Sequence, residues 1–185
     1  MKAAWTVLAT LAVLGLLALV FPFTGWYNVA ATSGDSALGA WVLSTTSRRS
    51  IQTRAADIAP AVPIDSAAVR AGAIAFAQMC QTCHGGPGAE RSVTGQGLSP
   101  TPPHLDEAAA EWSDGELFWV LDNGIRMAGM PAYGPTHSDD ELWEIVAFLR
   151  RLPDVSPDAY AALVAPPDTT AAAPVLADDG HNHLH

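Results

Sequence analysis

Cys80-Gln81-Thr82-Cys83-His84 is the stretch on which the reading of this chain turns. A Cys-x-x-Cys-His run is the signature of covalent haem attachment. The chemistry explains the spacing: two thiols add to the two haem vinyl groups, and the adjoining imidazole then lies beneath the ring as the proximal iron ligand. A zinc site would need two further thiol or imidazole ligands, and the chain has no other cysteine. A thioredoxin-like redox motif would need a βαβ setting, whereas the surroundings read as helical. The sequence therefore predicts one haem c per chain, covalently held by Cys80 and Cys83, with His84 on the iron.

The flanks agree with that reading. Upstream, Asp65 or Ser66 can cap a helix over 67–81 that carries Val69, Ala73, Phe76 and Ala77 on one face. Gly72 lies one turn before Phe76, where a small residue lets another helix cross closely. Downstream, the Gly/Pro density from Gly85 to Leu105 predicts a loop without regular structure. So long a loop is unusual inside a compact domain. It is reasonable when wrapped around a flat cofactor that supplies the core. Within it, Leu98, Pro102, Pro103 and Leu105 are expected to cover the ring. The Pro87 carbonyl is the expected acceptor for Nδ1–H of His84, the bond that orients a ligating imidazole. His104 is a rival ligand by residue type, but its place beside Pro103 suggests a surface or propionate-facing side chain.

Two capping boxes follow, Ser113-x-x-Glu116 and Ser138-x-x-Glu141. They open helices over 114–122 and 139–151, the first ending at Asn123-Gly124 and the second at Pro153. Leu142, Ile145, Val146 and Leu149 give the second helix an apolar face that Trp143 and Phe148 broaden. Arg150 and Arg151 suit the negative end of its dipole. Between the two helices runs Gly124-Ile125-Arg126-Met127-Ala128-Gly129-Met130-Pro131-Ala132-Tyr133-Gly134-Pro135. Methionine more often fills core gaps on helices than sits in such a loop. A distal iron ligand, in contrast, must come from a segment running over the ring, and by loop position both Met127 and Met130 qualify.

The CQTCHG motif, the GMPAYGP loop and the ELWEIVAFLRRLP helix together resemble a class I cytochrome c. More closely, the chain is similar to membrane-anchored monohaem c-type cytochromes of Gram-negative bacteria. That family also carries Tyr27-Asn28-Val29-Ala30-Ala31-Thr32 after its anchor, and the loop pattern found here from Gly97 to Leu105. The resemblance covers about residues 25–152. It implies an all-α haem domain of three to five helices whose first and last cross near Gly72 and Trp143. It also implies His84 as proximal and Met130 as distal ligand.

The rest of the chain frames this domain. Ala3 to Phe23 is uncharged and apolar. The run exceeds the roughly 7–15 apolar residues of a signal peptide and approaches the ~20 needed to span a bilayer. Val29-Ala30-Ala31 would serve as a cleavage site, but run length favours an uncleaved anchor. Trp5 and Trp26-Tyr27 suit an aromatic belt. Over 36–58, Leu38, Trp41, Val42, Thr45, Ile51, Ala55 and Ile58 recur at mostly three- and four-residue steps, with Arg48, Arg49 and Arg54 among them. That pattern suits a helix on a membrane surface or one packed on the haem domain or a partner. Those arginines would lie outside, against the positive-inside tendency, so haem chemistry decides the orientation. Ala59 to Pro63 reads as a stiff linker. The expected order is an anchor over 1–31, an amphipathic interfacial helix and linker over 32–64, a monohaem domain over 65–152, and a disordered tail over 153–185. His181, His183 and His185 near Asp178 and Asp179 make the tail a candidate divalent-metal binder.

Charge narrows the partners. The chain carries a net −10, and the acids concentrate in the haem domain, where twelve stand against five bases. Such a surface repels nucleic acid and attracts basic proteins. The function expected is a membrane-anchored periplasmic electron carrier of a respiratory or dehydrogenase-linked chain, a role compatible with being a subunit of a larger membrane complex. It is expected not to be an enzyme. The alternative is a haem enzyme or gas sensor that binds a small ligand at the iron, and the sixth ligand discriminates the two.

Overall fold

The computed structural model describes residues 2–60 and 63–166, and the His-rich end lies outside them. Nine α-helices follow in order: α1 (Lys2–Val20), α2 (Ala37–Ala55), α3 (Ser66–Met79), α4 (Gln81–His84), α5 (Val93–Gln96), α6 (Leu105–Ala108), α7 (Asp114–Asn123), α8 (Asp139–Arg151) and α9 (Pro157–Val164). Among the described residues there is no strand, and the protein is all-α.

Side-chain caps set the helix starts. Asp65 accepts from the amides of Ala67 and Ala68 at 3.0 and 2.9 Å, which opens α3. Both expected capping boxes form. The amides of Ser113 and Ser138 donate to Glu116 and Glu141 at 2.7 and 2.8 Å, and each serine hydroxyl accepts in return. Each such cap contributes about 1 kcal/mol.

The crossing of α3 and α8 makes the core. Phe76, Leu142, Ile145, Val146 and Phe148 are fully buried there, each contributing about 1.5–3 kcal/mol by leaving water. Gly72 is the contact point: a Cβ placed on it would run into the Glu144 carbonyl and lie 3.0 Å from Phe148 Cβ. Phe118 stacks on Trp143 with ring centres 4.5 Å apart, fastening α7 to the other face of α8.

Arg150 does more than answer a helix dipole. Its Nε pairs with Asp114 at 2.5 Å, and its two terminal nitrogens donate to the carbonyls of Ala109 and Trp112 at 2.8 and 2.6 Å. A dipole interaction is worth about 0.3–1 kcal/mol. Hydrogen bonds to a charged group are worth about 1.5–3 kcal/mol each, so the clamp onto the start of α7 dominates.

Three sequence expectations change. The tail expected from Pro153 instead begins with a helical turn and α9. Ser156 caps α9 by accepting from the Ala159 amide at 3.2 Å, Pro157 occupies its first turn, and Tyr160 is 5% exposed. Tyr160 packs edge-on to Phe76 and is stacked with Phe148. One buried aromatic ring therefore outweighs the Ala/Pro composition that suggested disorder. The loop expected from Gly85 to Leu105 contains the short α5, because the Ser92 hydroxyl accepts from the Gly95 amide at 3.3 Å. The third change concerns Pro87 and belongs with the site.

α1 is exposed along its whole length, and with the following turn it is long and apolar enough to cross a membrane. α2 divides in two. Its C-terminal half buries Ile51 and Ala55, and the backbone beyond it lies against Gly115 of α7. Arg48 pairs with Glu111 at 2.7 Å and lies over the Trp112 ring at 4.6 Å. The ion pair is exposed and worth at most about 1 kcal/mol, so burial of Ile51 holds this half down. The N-terminal half leaves Leu38, Trp41, Val42 and Leu43 exposed.

Candidate haem site

The site forms where α3 ends. Cys80 leaves the helical ladder at φ −102°, and α4 begins with the next residue. The amides of Cys83 and His84 both donate back to the Cys80 carbonyl, at 3.1 and 2.9 Å. The two cysteines thus sit one turn apart, and neither is in a disulfide. Cys80 is buried, and burial, with the Cys83 thiol beside it, pushes its pKa up to about 12. The Cys80 sulfur is therefore a thiol at neutral pH. Together with His84 the two cysteines do not converge as a bare-ion site; no group of three or more His, Cys, Asp or Glu does so among the described residues.

His84 Nδ1 lies 2.8 Å from the Pro103 carbonyl. A carbonyl only accepts, so Nδ1 carries the proton and Nε2 keeps its lone pair. That is the tautomer a metal ligand needs. The sequence expectation of Pro87 as acceptor is corrected by this bond. Pro87 sits in a turn closed by reciprocal Gly86–Ala89 bonds of 2.9 Å, and that turn packs on Pro157 of α9. Burial lowers the His84 pKa, the Pro103 bond opposes the fall, and the charges of Arg91 and His104 add to it. The imidazole is accordingly neutral at pH 7, free to bind a metal without first losing a proton.

The predicted cover residues are distributed along the loop. Leu98 is half-buried and its side chain lies over Gly129. Pro103 gives its carbonyl to His84, and Leu105 opens α6 and packs against the core. His104 is exposed.

The structure separates the two methionines. Met127 is 81% exposed and adopts φ 62°. Met130 is half-buried and packs against the core. The loop that carries it doubles back over the end of α7: Ile125 donates to the Met130 carbonyl at 3.2 Å and Tyr133 to that of Leu121 at 2.9 Å. Gly124, at φ 66°, makes the reversal possible, since a Cβ there would lie 2.7–2.8 Å from the backbone of Met130, Pro131 and Ala132.

Two tyrosines tie the surrounding elements to the attachment turn. The Tyr133 hydroxyl donates to the Met79 carbonyl at 3.3 Å, and Tyr160 donates to Gln81 Oε1 at 2.8 Å. Burial, then the nearby thiols, pushes the Tyr133 hydroxyl up to about 12, so it stays a donor. Sequence reasoning gave neither residue a role. Tyr133 was visible only as part of a motif, whereas Ser156-Pro157 was a helix-start signal for Tyr160's helix.

Residues 67–149 match the family model described as cytochrome C oxidase, cbb3-type, subunit III. This segment is a c-type cytochrome domain. No curated protein matches the chain. A c-type cytochrome domain binds haem c and transfers electrons, and the residues present fit that group. They offer two unbridged thiols one turn apart, a bare imidazole nitrogen and a thioether on a pinned loop. The guanidinium Nε of Arg91 is also buried without a partner, as expected where a polar group of the cofactor would complete it.

Proposed function

We propose that the protein is a membrane-anchored, periplasmic carrier of single electrons with one haem. Cys80 and Cys83 would attach the haem covalently, and His84 and Met130 would hold its iron. The observation that carries this reading is the Met130 loop: it is pinned to α7 by backbone bonds and to the end of α3 by Tyr133, while Met127 faces solvent. Haem supplies reversible one-electron chemistry at its iron. The polypeptide's part is to hold the imidazole neutral and oriented through Pro103 and to present a thioether that leaves no open coordination position.

The anchor reading rests on α1, and the outside placement of the haem domain on attachment chemistry. The exposed half of α2 fits a membrane surface. No acid stands between Asp35 and Asp57, while Arg48, Arg49 and Arg54 do, and arginines beside exposed apolar residues suit anionic headgroups. The family matched is described as an oxidase subunit, which supports a place within a larger membrane complex of a respiratory or dehydrogenase-linked chain. The acidic surface, with Asp106, Glu107, Glu111, Asp139, Asp140 and Glu141 exposed, would steer a basic redox partner at a rate that falls with salt. The His-rich end remains a candidate metal binder outside the described residues.

One fractionation tests attachment, anchoring and topology together. Carbonate-washed membranes from a Gram-negative host should retain a band that stains for haem after denaturing electrophoresis, and protease added to spheroplasts should remove it. Replacing both Cys80 and Cys83 by alanine should abolish the stain. A stained band released by carbonate, or a stain that survives the double substitution, contradicts the proposal.

A further inference from the structure

The roles above leave a basic side chain with a buried, unpartnered nitrogen without a task. Arg91 follows the attachment turn closely, and its backbone is fixed there. The next amide, Ser92 N, donates to the Thr82 carbonyl at 3.0 Å, and the Arg91 carbonyl accepts from Gln96 Nε2 at 2.9 Å. Its Nε is the one buried side-chain nitrogen or oxygen without a hydrogen-bond partner among the described residues. No carboxylate among the described residues answers it. The ion pairs among the described residues are Arg48–Glu111 and Arg150–Asp114, although acids outnumber bases 19 to 9 in the whole chain. The segment that carries it nevertheless lies directly against the attachment turn: a Cβ on Gly95 would come within 2.7–3.0 Å of the backbone of Thr82 and Cys83.

An arginine cannot escape burial by losing its proton. A buried donor left unpaired is costly, more so on a charged group, and native proteins pair such charges. An acidic polypeptide that leaves this one unpaired beside a cofactor site implies an acid supplied by the cofactor. Haem carries two propionate carboxylates, and a planar guanidinium matches a carboxylate with parallel N–H donors. We propose that Arg91 is a propionate-binding residue, donating to a haem propionate and fixing the ring against the loop that follows His84.

This inference rests on haem occupying the site, and the test separates the two. The full-length holoprotein, Arg91→Gln and Arg91→Lys are compared by redox titration and by the propionate bending modes in resonance Raman spectra. Loss of a positive charge beside the haem favours the ferric form, so Arg91→Gln should lower the midpoint potential and shift a propionate mode. Arg91→Lys, which keeps charge but loses the planar fork, should shift the mode while retaining most of the potential. Both variants should still stain for haem and keep the Met–iron band. A role confined to packing would lower thermal stability and leave the propionate modes unmoved. Unshifted modes in Arg91→Lys, or an unchanged potential in Arg91→Gln, overturn the inference. A wild-type protein without haem would overturn it by overturning the cofactor reading.

Discussion

Met130→Ala is expected to lower the midpoint potential by a sizeable part of the roughly 0.8 V over which axial ligands set haem potentials. It should also remove the methionine–iron charge-transfer band at the red end of the oxidised spectrum. The direction follows from chemistry: a thioether stabilises ferrous iron, and its loss leaves water or a harder ligand that favours ferric iron. The restriction to Met130 follows from structure. Met130 packs against the core on a loop held at both ends, whereas Met127 is 81% exposed. Met127→Ala should leave band and potential close to wild type. Redox titration with optical detection reads both variants, and a reversal of their effects would show the ligand assignment to be wrong.

Gly72→Val should be the most damaging substitution outside the site. The new Cβ would occupy the position of the Glu144 carbonyl, and Phe148 Cβ lies 3.0 Å away on the same side. Overpacking against movable side chains costs about 1–3 kcal/mol. Here the obstacle is helix backbone, so relief requires α8 to move away from α3 and to loosen Phe76, Phe148 and Tyr160 together. A loss of at least about 3 kcal/mol is expected. At ~4–8 °C per kcal/mol for a domain of this size, the thermal midpoint should fall by about 12 °C or more. Thermal unfolding followed by circular dichroism measures this. A midpoint within a few degrees of wild type would mean the helices do not cross at Gly72.

The sequence carried these two features unequally. Caps and apolar periodicity are local, so α3, α7 and α8 could be read with their starts nearly in place. The attachment motif was legible because chemistry dictates its spacing. Gly72 stood out as a small residue one turn before Phe76, and the crossing does fall there. The Pro87 expectation failed because a hydrogen-bond acceptor is chosen in space: Pro103 is distant from His84 in sequence, yet its carbonyl lies 2.8 Å from Nδ1. Similarly, α9 was hidden because its stability comes from one ring, Tyr160, packed on two residues far earlier and somewhat earlier in the chain. The unpaired state of Arg91 could not be read from sequence at all, since it depends on which acids the fold brings near. α2 was legible as an amphipathic pattern, but only packing shows that Ile51 and Ala55 are buried while Leu38 and Trp41 are exposed.

A haem that passes electrons and is closed to exogenous ligands has a signature in rapid mixing. The reduced full-length protein at neutral pH is mixed in separate runs with carbon monoxide and with an oxidised basic redox protein at low and high salt. A thioether-closed iron predicts slow, weak carbon monoxide binding. The acidic surface predicts fast electron exchange that slows as salt rises. Rapid, tight carbon monoxide binding by the native protein would contradict the account and identify the haem as a ligand-binding centre.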